Sequence, residues 1–264
     1  MCRLLGYLGL PIQLDKILSQ PEHSLIVQSY QPKEMQEAIL NADGFGVGWY
    51  HPHKTTQPYL YRNTQPIWND SNLSSLGRYI ESGRILGYVR SATPGQVVTL
   101  TNSQPFQSEQ LLFTHNGYID KFRHSLHRPI RERLQDSIYS GIEGTTDSEH
   151  LFALFLNELT TADSTLSLVD ALRQTLDIVK TLAKKYQVKA LVNIMLSDGH
   201  QMVASRYAVD GLAPSLYWLK DDPQFPESVM IASEPLFDAD WQTCPEQTII
   251  HVGEDRDLHL EKLA

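Results

Sequence analysis

Apolar residues in the first 120 positions come in short runs bounded by Gly, Pro, Asn and Asp. Arg3–Gly9, Gly46–Tyr50, Tyr59–Tyr61, Ile85–Val89 and Leu111–Thr114 are runs of this kind, and their length and flanks predict strands. Several lack strict alternation, as expected of strands covered on both faces. Between the first two, Pro32–Leu40 (PKEMQEAIL) has the pattern of a short helix. The period then changes. Leu151, Phe152, Phe155, Leu156 and Leu159 recur at helical spacing, and Leu166, Val169, Leu172, Leu176, Val179 and Ala183 do so again, which predicts two amphipathic helices. Thr146 followed by Glu149 is a capping-box signature for the start of the first. Strands return at Ala190–Leu196, Met202–Tyr207, Ser215–Leu219, Ser228–Ala232 and Thr248–Val252, with Asp198-Gly199 as a hairpin signal. Strands, two helices, then strands predict an α+β arrangement, with sheets packed together and helices outside.

Composition narrows the class. With 264 residues, 41% of them hydrophobic, the chain can bury a large core, and no linker, repeat or low-complexity run divides it. A single domain over 1–264 is expected. A formal charge of -9 argues against a phosphate-neutralising surface. The basic cluster at His124, His127, Arg128, Arg131 and Arg133 reads as a solvated loop or helix face, so nucleic acid is not an expected partner. The start MCRLLGYLGLPIQL has no sustained apolar segment of the secretory kind, and no apolar run reaches the roughly 18 residues that span a bilayer. A cytoplasmic protein without membrane contact is the expectation. The two cysteines, Cys2 and Cys244, form neither a disulfide framework nor a metal-ligand spacing.

Four segments carry candidate chemistry, each with a structural reading beside the functional one. Removal of Met1 would leave Cys2 with a thiol and a free α-amine, a nucleophile and a base on one residue, although a second-position Cys is often idle. Asn116-Gly117 in FTHNGYI is a turn dipeptide, yet the Asn116 amide and the Gly117 N–H can also form an oxyanion hole. Arg90 ends a strand, where its guanidinium is either a surface ion-pair partner or a bidentate clamp for a carboxylate, with Thr93 near enough to add a hydroxyl. Asp147 follows the capping Thr146 and either complements the helix dipole or binds an ammonium group. His115 packs within its strand or contacts substrate. Together these groups match a γ-glutamyl amide: Arg90 for its α-carboxylate, Asp147 for its α-ammonium, Cys2 for its γ-carbonyl, Asn116 and Gly117 for the oxyanion. A glutamine sensor using the same clamp, with Cys2 only lining the pocket, is the competing class. A thiol redox role is less favoured, since there is no CxxC and Cys244 lies beside Pro245 in a loop-like stretch.

CRLLGY at the start, DGFGVGWY at 43–50, GYVRSAT at 87–93, FTHNGYI at 113–119 and TTDSEHL at 145–151 together resemble the class II glutamine amidotransferases, and ASEPL at 232–236 resembles their short, stand-alone branch. The resemblance implies the four-layer αββα sandwich of N-terminal nucleophile hydrolases. It implies Cys2 as nucleophile, Arg90 and Asp147 as clamps on the glutamyl head, and Asn116 with Gly117 as oxyanion hole. It requires neither metal nor organic cofactor. Arg3 stands where many members have Gly, and Pro94 where many have His. The chain leaves no room for a fused synthase, so the small γ-glutamyl substrate either yields ammonia to a separate acceptor enzyme or is simply hydrolysed. The branch includes an ergothioneine-pathway enzyme that removes glutamate from γ-glutamyl hercynylcysteine sulfoxide, and the reading leans towards that reaction. Homo-oligomerisation is left open.

Overall fold

The computed structural model describes residues 1–34, 40–51, 53–93, 95–161 and 166–263. Its strands are β1 (Arg3–Gln13), β2 (Phe45–His51), β3 (Thr55–Asn63), β4 (Glu81–Val89), β5 (Phe106–Ser108), β6 (Leu111–Ile119) and β7 (Ala190–Ser197). They continue with β8 (Met202–Arg206), β9 (Ala208–Val209), β10 (Tyr217–Asp222), β11 (Phe225–Ala232), β12 (Gln242–Thr243), β13 (Thr248–Val252) and β14 (Leu258–Lys262). The helices are α1 (Asp15–Leu18), α2 (Leu25–Tyr30), α3 (Leu73–Tyr79), α4 (His127–Arg131), α5 (Asp136–Ser140), α6 (Asp147–Thr161) and α7 (Leu168–Tyr186). Most of the helix expected at Pro32–Leu40 falls on residues 35–39, outside the described residues.

Among the described residues the strands form two sheets. One runs β12-β10-β11-β1-β4-β2-β3 and the other β14-β13-β8-β7-β6-β5, with β9 paired to β7. Three apolar clusters show how the layers stack. Along β1, Leu4 and Leu8 join Leu86 of β4 and meet Leu112, Met195 and Ile250 of the second sheet. Leu5 and Tyr7, on the opposite pleat, pack with Ile17, Leu18 and Leu25 of α1 and α2. Phe113, Val192 and Ile194 face the other way, onto Leu151 and Phe155 of α6 and Leu172, Leu176 and Val179 of α7. Helices, sheet, sheet, helices is the αββα sandwich, and each strand near the middle is covered on both faces, which is why its sequence does not alternate cleanly. No cut of the chain separates the sheets: the first takes strands from both 3–89 and 217–243.

The two long helices lie where the periodicity predicts. Ser167 caps α7, its Oγ accepting from Asp170 N at 3.1 Å. The α6 start departs from a capping box in one bond. Thr146 Oγ1 accepts from Glu149 N, but the Glu149 carboxylate reaches past the cap to the N–H groups of Glu143 and Gly144, at 2.8 and 2.9 Å. Asp198-Gly199 turns β7 into β8, the Asp198 carboxylate accepting from the N–H groups of His200 and Gln201. Of the basic cluster, His124, Arg128 and Arg133 are exposed, while His127 and Arg131 are half-buried. No helix of the described residues is long and apolar enough to cross a membrane.

One acid-sensitive point lies on α6. His150 Nδ1 donates to Thr146 O at 2.7 Å while its ring is buried against Phe122 and His127. Burial lowers its pKa from 6.5 to about 4, ahead of the opposing hydrogen bond to Thr146. Between those values the unfolded chain binds the proton that the folded chain refuses, so stability falls as pH drops from about 6.5 towards 4. Denaturant midpoints measured across that window should decline, and the slope should be shallower in His150→Asn.

Candidate active site

The pleat of β1 that carries Leu4 and Leu8 also carries Cys2, which is buried between the sheets beside Leu86, Tyr88 and Leu216. Its sulfur accepts from the Tyr88 hydroxyl at 2.9 Å and lies 3.6 Å from Ser91 O. Arg3, on the opposite pleat, points away from the inter-sheet core and pairs with Glu234 at 3.0 Å, both wholly buried. Burial alone would raise the Glu234 pKa. Hydrogen bonds from His23 and the Lys33 N–H, then the Arg3 charge, bring it below the ordinary value instead. With Leu4 N on Ser233 Oγ and Ser233 N on Leu4 O, the ASEPL segment fastens the strand that begins just after Cys2. Removing one partner of such a buried pair typically costs about 3–5 kcal/mol.

On β4, which pairs directly with β1, Tyr88 and Leu86 share a pleat that Arg90 continues just past the strand end. Its backbone is fixed by Arg90 N to Gly44 O and Asp43 N to Arg90 O, which is the work of the DGF turn ahead of β2. The guanidinium is buried and, among the described residues, makes only long bonds, 3.3 and 3.4 Å to Val97 O and 3.3 Å to Gln96 Oε1. Thr93 lies exposed on the loop beyond, its carbonyl accepting from Gln96 N.

In the second sheet, Asn116 lies in β6 directly across from Asn193 of β7. Asn116 is wholly buried, and among the described residues neither its amide nitrogen nor its amide oxygen has a hydrogen-bond partner. An unpartnered buried polar group costs about 1–3 kcal/mol, so a side chain carrying two such atoms points to a ligand that satisfies them. Gly117 follows with φ +155°, and a Cβ there would lie 1.9 Å from Leu191 O, so no other residue fits without moving β7. His115 takes the opposite pleat. Its ring nitrogens lie 2.9 Å from Ser148 Oγ and 3.0 Å from Leu191 O, and burial lowers its pKa, so it packs as a neutral ring behind the strand. Asp147, at the start of α6, is buried, with Oδ2 accepting from Ile119 N at 2.8 Å and Oδ1 from Ser148 N at 2.9 Å. These bonds join the helix start to the end of the strand bearing Asn116.

The phenol of Tyr88 connects the pieces. Its pKa is pushed well above the ordinary value, by burial first and then by the charge of Cys2 and the hydrogen bond to it, with Asp147 adding and Arg90 opposing. Cys2, Arg90 and Asp147 therefore all lie within electrostatic reach of one hydroxyl. Tyr88 and its partner Gln104 are not among the residues singled out from sequence; the signal was available in Tyr88 sharing a pleat with Arg90, two positions on. Cys244 is buried as well, and burial pushes its thiol up to about 12, which leaves it protonated and inert. Among the described residues there is no cluster of three His, Cys, Asp or Glu side chains suited to a metal. Met1 packs against Leu191 and Ala213 and lines a cavity of about 560 Å³ whose rim carries Lys33, Glu34, Lys189 and Arg206.

Solved structures share this architecture. A glutamine aminotransferase class-II domain protein from Silicibacter pomeroyi superposes with a TM-score of 0.72 at 25% identity, covering 100% of both chains. The glutamine phosphoribosylpyrophosphate amidotransferase of Bacillus subtilis matches all of this chain with 49% of its own, at a TM-score of 0.65 and 15% identity. The fold is that of the N-terminal nucleophile hydrolases. The sequence profile of class-II glutamine amidotransferases matches residues 1–223, and the chain belongs to that family of enzymes. A probable glutamine amidotransferase of Saccharomyces cerevisiae, DUG3, is 31% identical over 96% of this chain and 82% of its own. A γ-glutamyl-hercynylcysteine sulfoxide hydrolase of Mycolicibacterium smegmatis is 29% identical over 98% of each chain, and one of Mycobacterium tuberculosis 30% identical over 96% and 93%.

Proposed function

We propose that the chain hydrolyses a γ-glutamyl amide through a thioester on Cys2, after Met1 has been removed. The observation that carries this reading is the empty-handed amide of Asn116, fully buried on a strand next to the required Gly117, in the interior that also holds the Cys2 thiol. The freed α-amine takes the thiol proton, directly or through a water, as sulfur bonds to the γ-carbonyl carbon. Negative charge passes to the carbonyl oxygen, which Asn116 Nδ2 and Gly117 N stabilise as donors. The C–N bond then breaks and the amine leaves with the proton returned by the α-ammonium. Water, losing its proton to the same amine, attacks the thioester; glutamate departs and the thiol is restored. Arg90 and Asp147 hold the glutamyl α-carboxylate and α-ammonium. Replacing Arg90 by Lys removes the bidentate fork while keeping the charge, so KM should rise by about 10- to 100-fold, the equivalent of one charge-assisted hydrogen bond, with a smaller change in kcat.

For the leaving group, γ-glutamyl hercynylcysteine sulfoxide is the reading we favour. Its support is the near full-length likeness to two hydrolases of that name and the roomy cavity at Met1, whose rim carries both signs of charge, as a large zwitterionic amine requires. The likeness to a probable glutamine amidotransferase supports a second reading, in which glutamine is the substrate and ammonia passes to a separate enzyme. Incubating the processed protein with glutamine and with a bulky γ-glutamyl sulfoxide, and comparing glutamate release, separates them. A strong preference for the bulky amide supports the first; equal or better turnover of glutamine overturns it. An electrophilic glutamine analogue that binds without adding mass to Cys2 would instead mark a sensor.

A further inference from the structure

Tyr88 is the one side chain that donates a hydrogen bond to the Cys2 sulfur among the described residues, and the bonds around it fix which way its hydrogen points. The chain begins at the backbone N–H of His115, which can only donate, and whose acceptor is Gln104 Oε1. That contact sets the amide: Gln104 Nε2 must then face the other side, where it donates to Tyr88 Oη at 3.0 Å and to His115 O at 3.3 Å. The phenol oxygen accepts from Gln104, so its own hydrogen is free for the remaining neighbour, the sulfur 2.9 Å away. Gln104 is itself held at close quarters. A Cβ at Gly46 would lie 2.1 Å from Gln104 O, so the glycine of the DGFGVGWY segment lets β2 close against it.

Among the described residues the sulfur has one other polar contact, the Ser91 carbonyl at 3.6 Å, which accepts and so serves only the protonated thiol. The Tyr88 contact serves the opposite state, because a donor's bond to sulfur strengthens when the sulfur becomes an anion. We propose that Tyr88, aligned by Gln104, is a catalytic residue of this site: a hydrogen-bond donor that selectively stabilises the Cys2 thiolate, when the nucleophile forms and again when it leaves the thioester. Cys2 just ahead of β1, Arg90 after β4 and Asp147 on α6 are the ionisable groups around the phenol, and burial with the first and last of them keeps it protonated, so it acts as donor and never as base. The same Gln104 amide ties the donor to the residue before Asn116, so the sulfur and the oxyanion hole share one rigid spacer.

This inference rests on Cys2 being the nucleophile, and its test reads the sulfur directly. Alkylation of Cys2 by iodoacetamide is followed by intact mass against pH in the processed protein, in Tyr88→Phe and in Gln104→Leu. The midpoint should move upward by about one to two pH units in Tyr88→Phe, the equivalent of one hydrogen bond to a charged group, and by less in Gln104→Leu. Glutamate release at neutral pH should fall by about 10- to 100-fold in Tyr88→Phe with KM largely unchanged, and recover in part as pH rises. An alkylation profile identical to the parent's in a folded Tyr88→Phe protein overturns the proposal; should that variant not fold, an unshifted profile in Gln104→Leu does so. Glutamate release by Cys2→Ala would overturn the nucleophile itself, and the alkylation profile cannot mimic that result.

Discussion

Cys2→Ala keeps the parent's fold and loses glutamate release to background, a fall in kcat of about 10⁴- to 10⁶-fold by comparison with other covalent nucleophiles. The substitution removes one sulfur from the inter-sheet core and leaves the main-chain pairing of β1 with β4 and β11 intact. Its effect on stability should therefore stay within about 1–2 kcal/mol, as for ordinary small-cavity changes. Thermal unfolding and glutamate release measured on the same preparation check both halves. A chain that keeps Met1 should be equally silent, since the amine that takes the thiol proton is then locked in a peptide bond. Activity in either protein would mean that another group attacks the amide.

The second large effect is at the oxyanion pair. Asn116→Ala removes a side chain whose polar atoms have no partner among the described residues, so the fold should tolerate it or even gain stability. The reaction should not tolerate it: losing one oxyanion donor typically lowers kcat by about 10²- to 10³-fold, with KM little changed, because the ground-state carbonyl makes the weaker bond. Gly117→Ala should fail differently. Its methyl group would meet Leu191 O at 1.9 Å, which pushes β6 and β7 apart and costs stability along with rate. Unfolding midpoints beside steady-state constants distinguish the two, and an Asn116→Ala protein with parental kcat would exclude the oxyanion role.

Much of this was legible in the chain itself. The α6 and α7 stripes are long and strongly periodic, so helical spacing alone locates them, and the Asp198-Gly199 turn announces its hairpin. Strand lengths were harder: β1 continues to Gln13 through a register shift after Leu8, and the paired segments β5, β9 and β12 run only two or three residues, too short for any period. The helices α1 to α3 have four to seven residues and owe their form to packing on the first sheet, which local sequence does not encode. At the site, Cys2, Arg90 and Asp147 announce themselves by residue type and by their place at strand and helix ends, whereas Asn116-Gly117, read as a turn dipeptide after a strand ending at Thr114, lies within β6, which runs on to Ile119. What escaped were the contacts across large separations. The Tyr88 bond to Cys2 spans 86 positions and the Arg3 bond to Glu234 spans 231, and only the folded sheet order brings either pair together. His115 illustrates the reverse: strand alternation already turned it from Asn116, and its ring is spent on Ser148 and Leu191.

The strand that starts just after Cys2 is sandwiched between β4 and β11, a neighbour that ends at Ala232. During synthesis residues 5–8 must wait for residues 229–232 before their seat on that side exists. Contacts this distant in sequence are slow to close. Cys2 should therefore stay loose in solvent, away from the Tyr88 hydroxyl, until β11 has been made, and a chain cut short before that strand should carry the cysteine but release no glutamate.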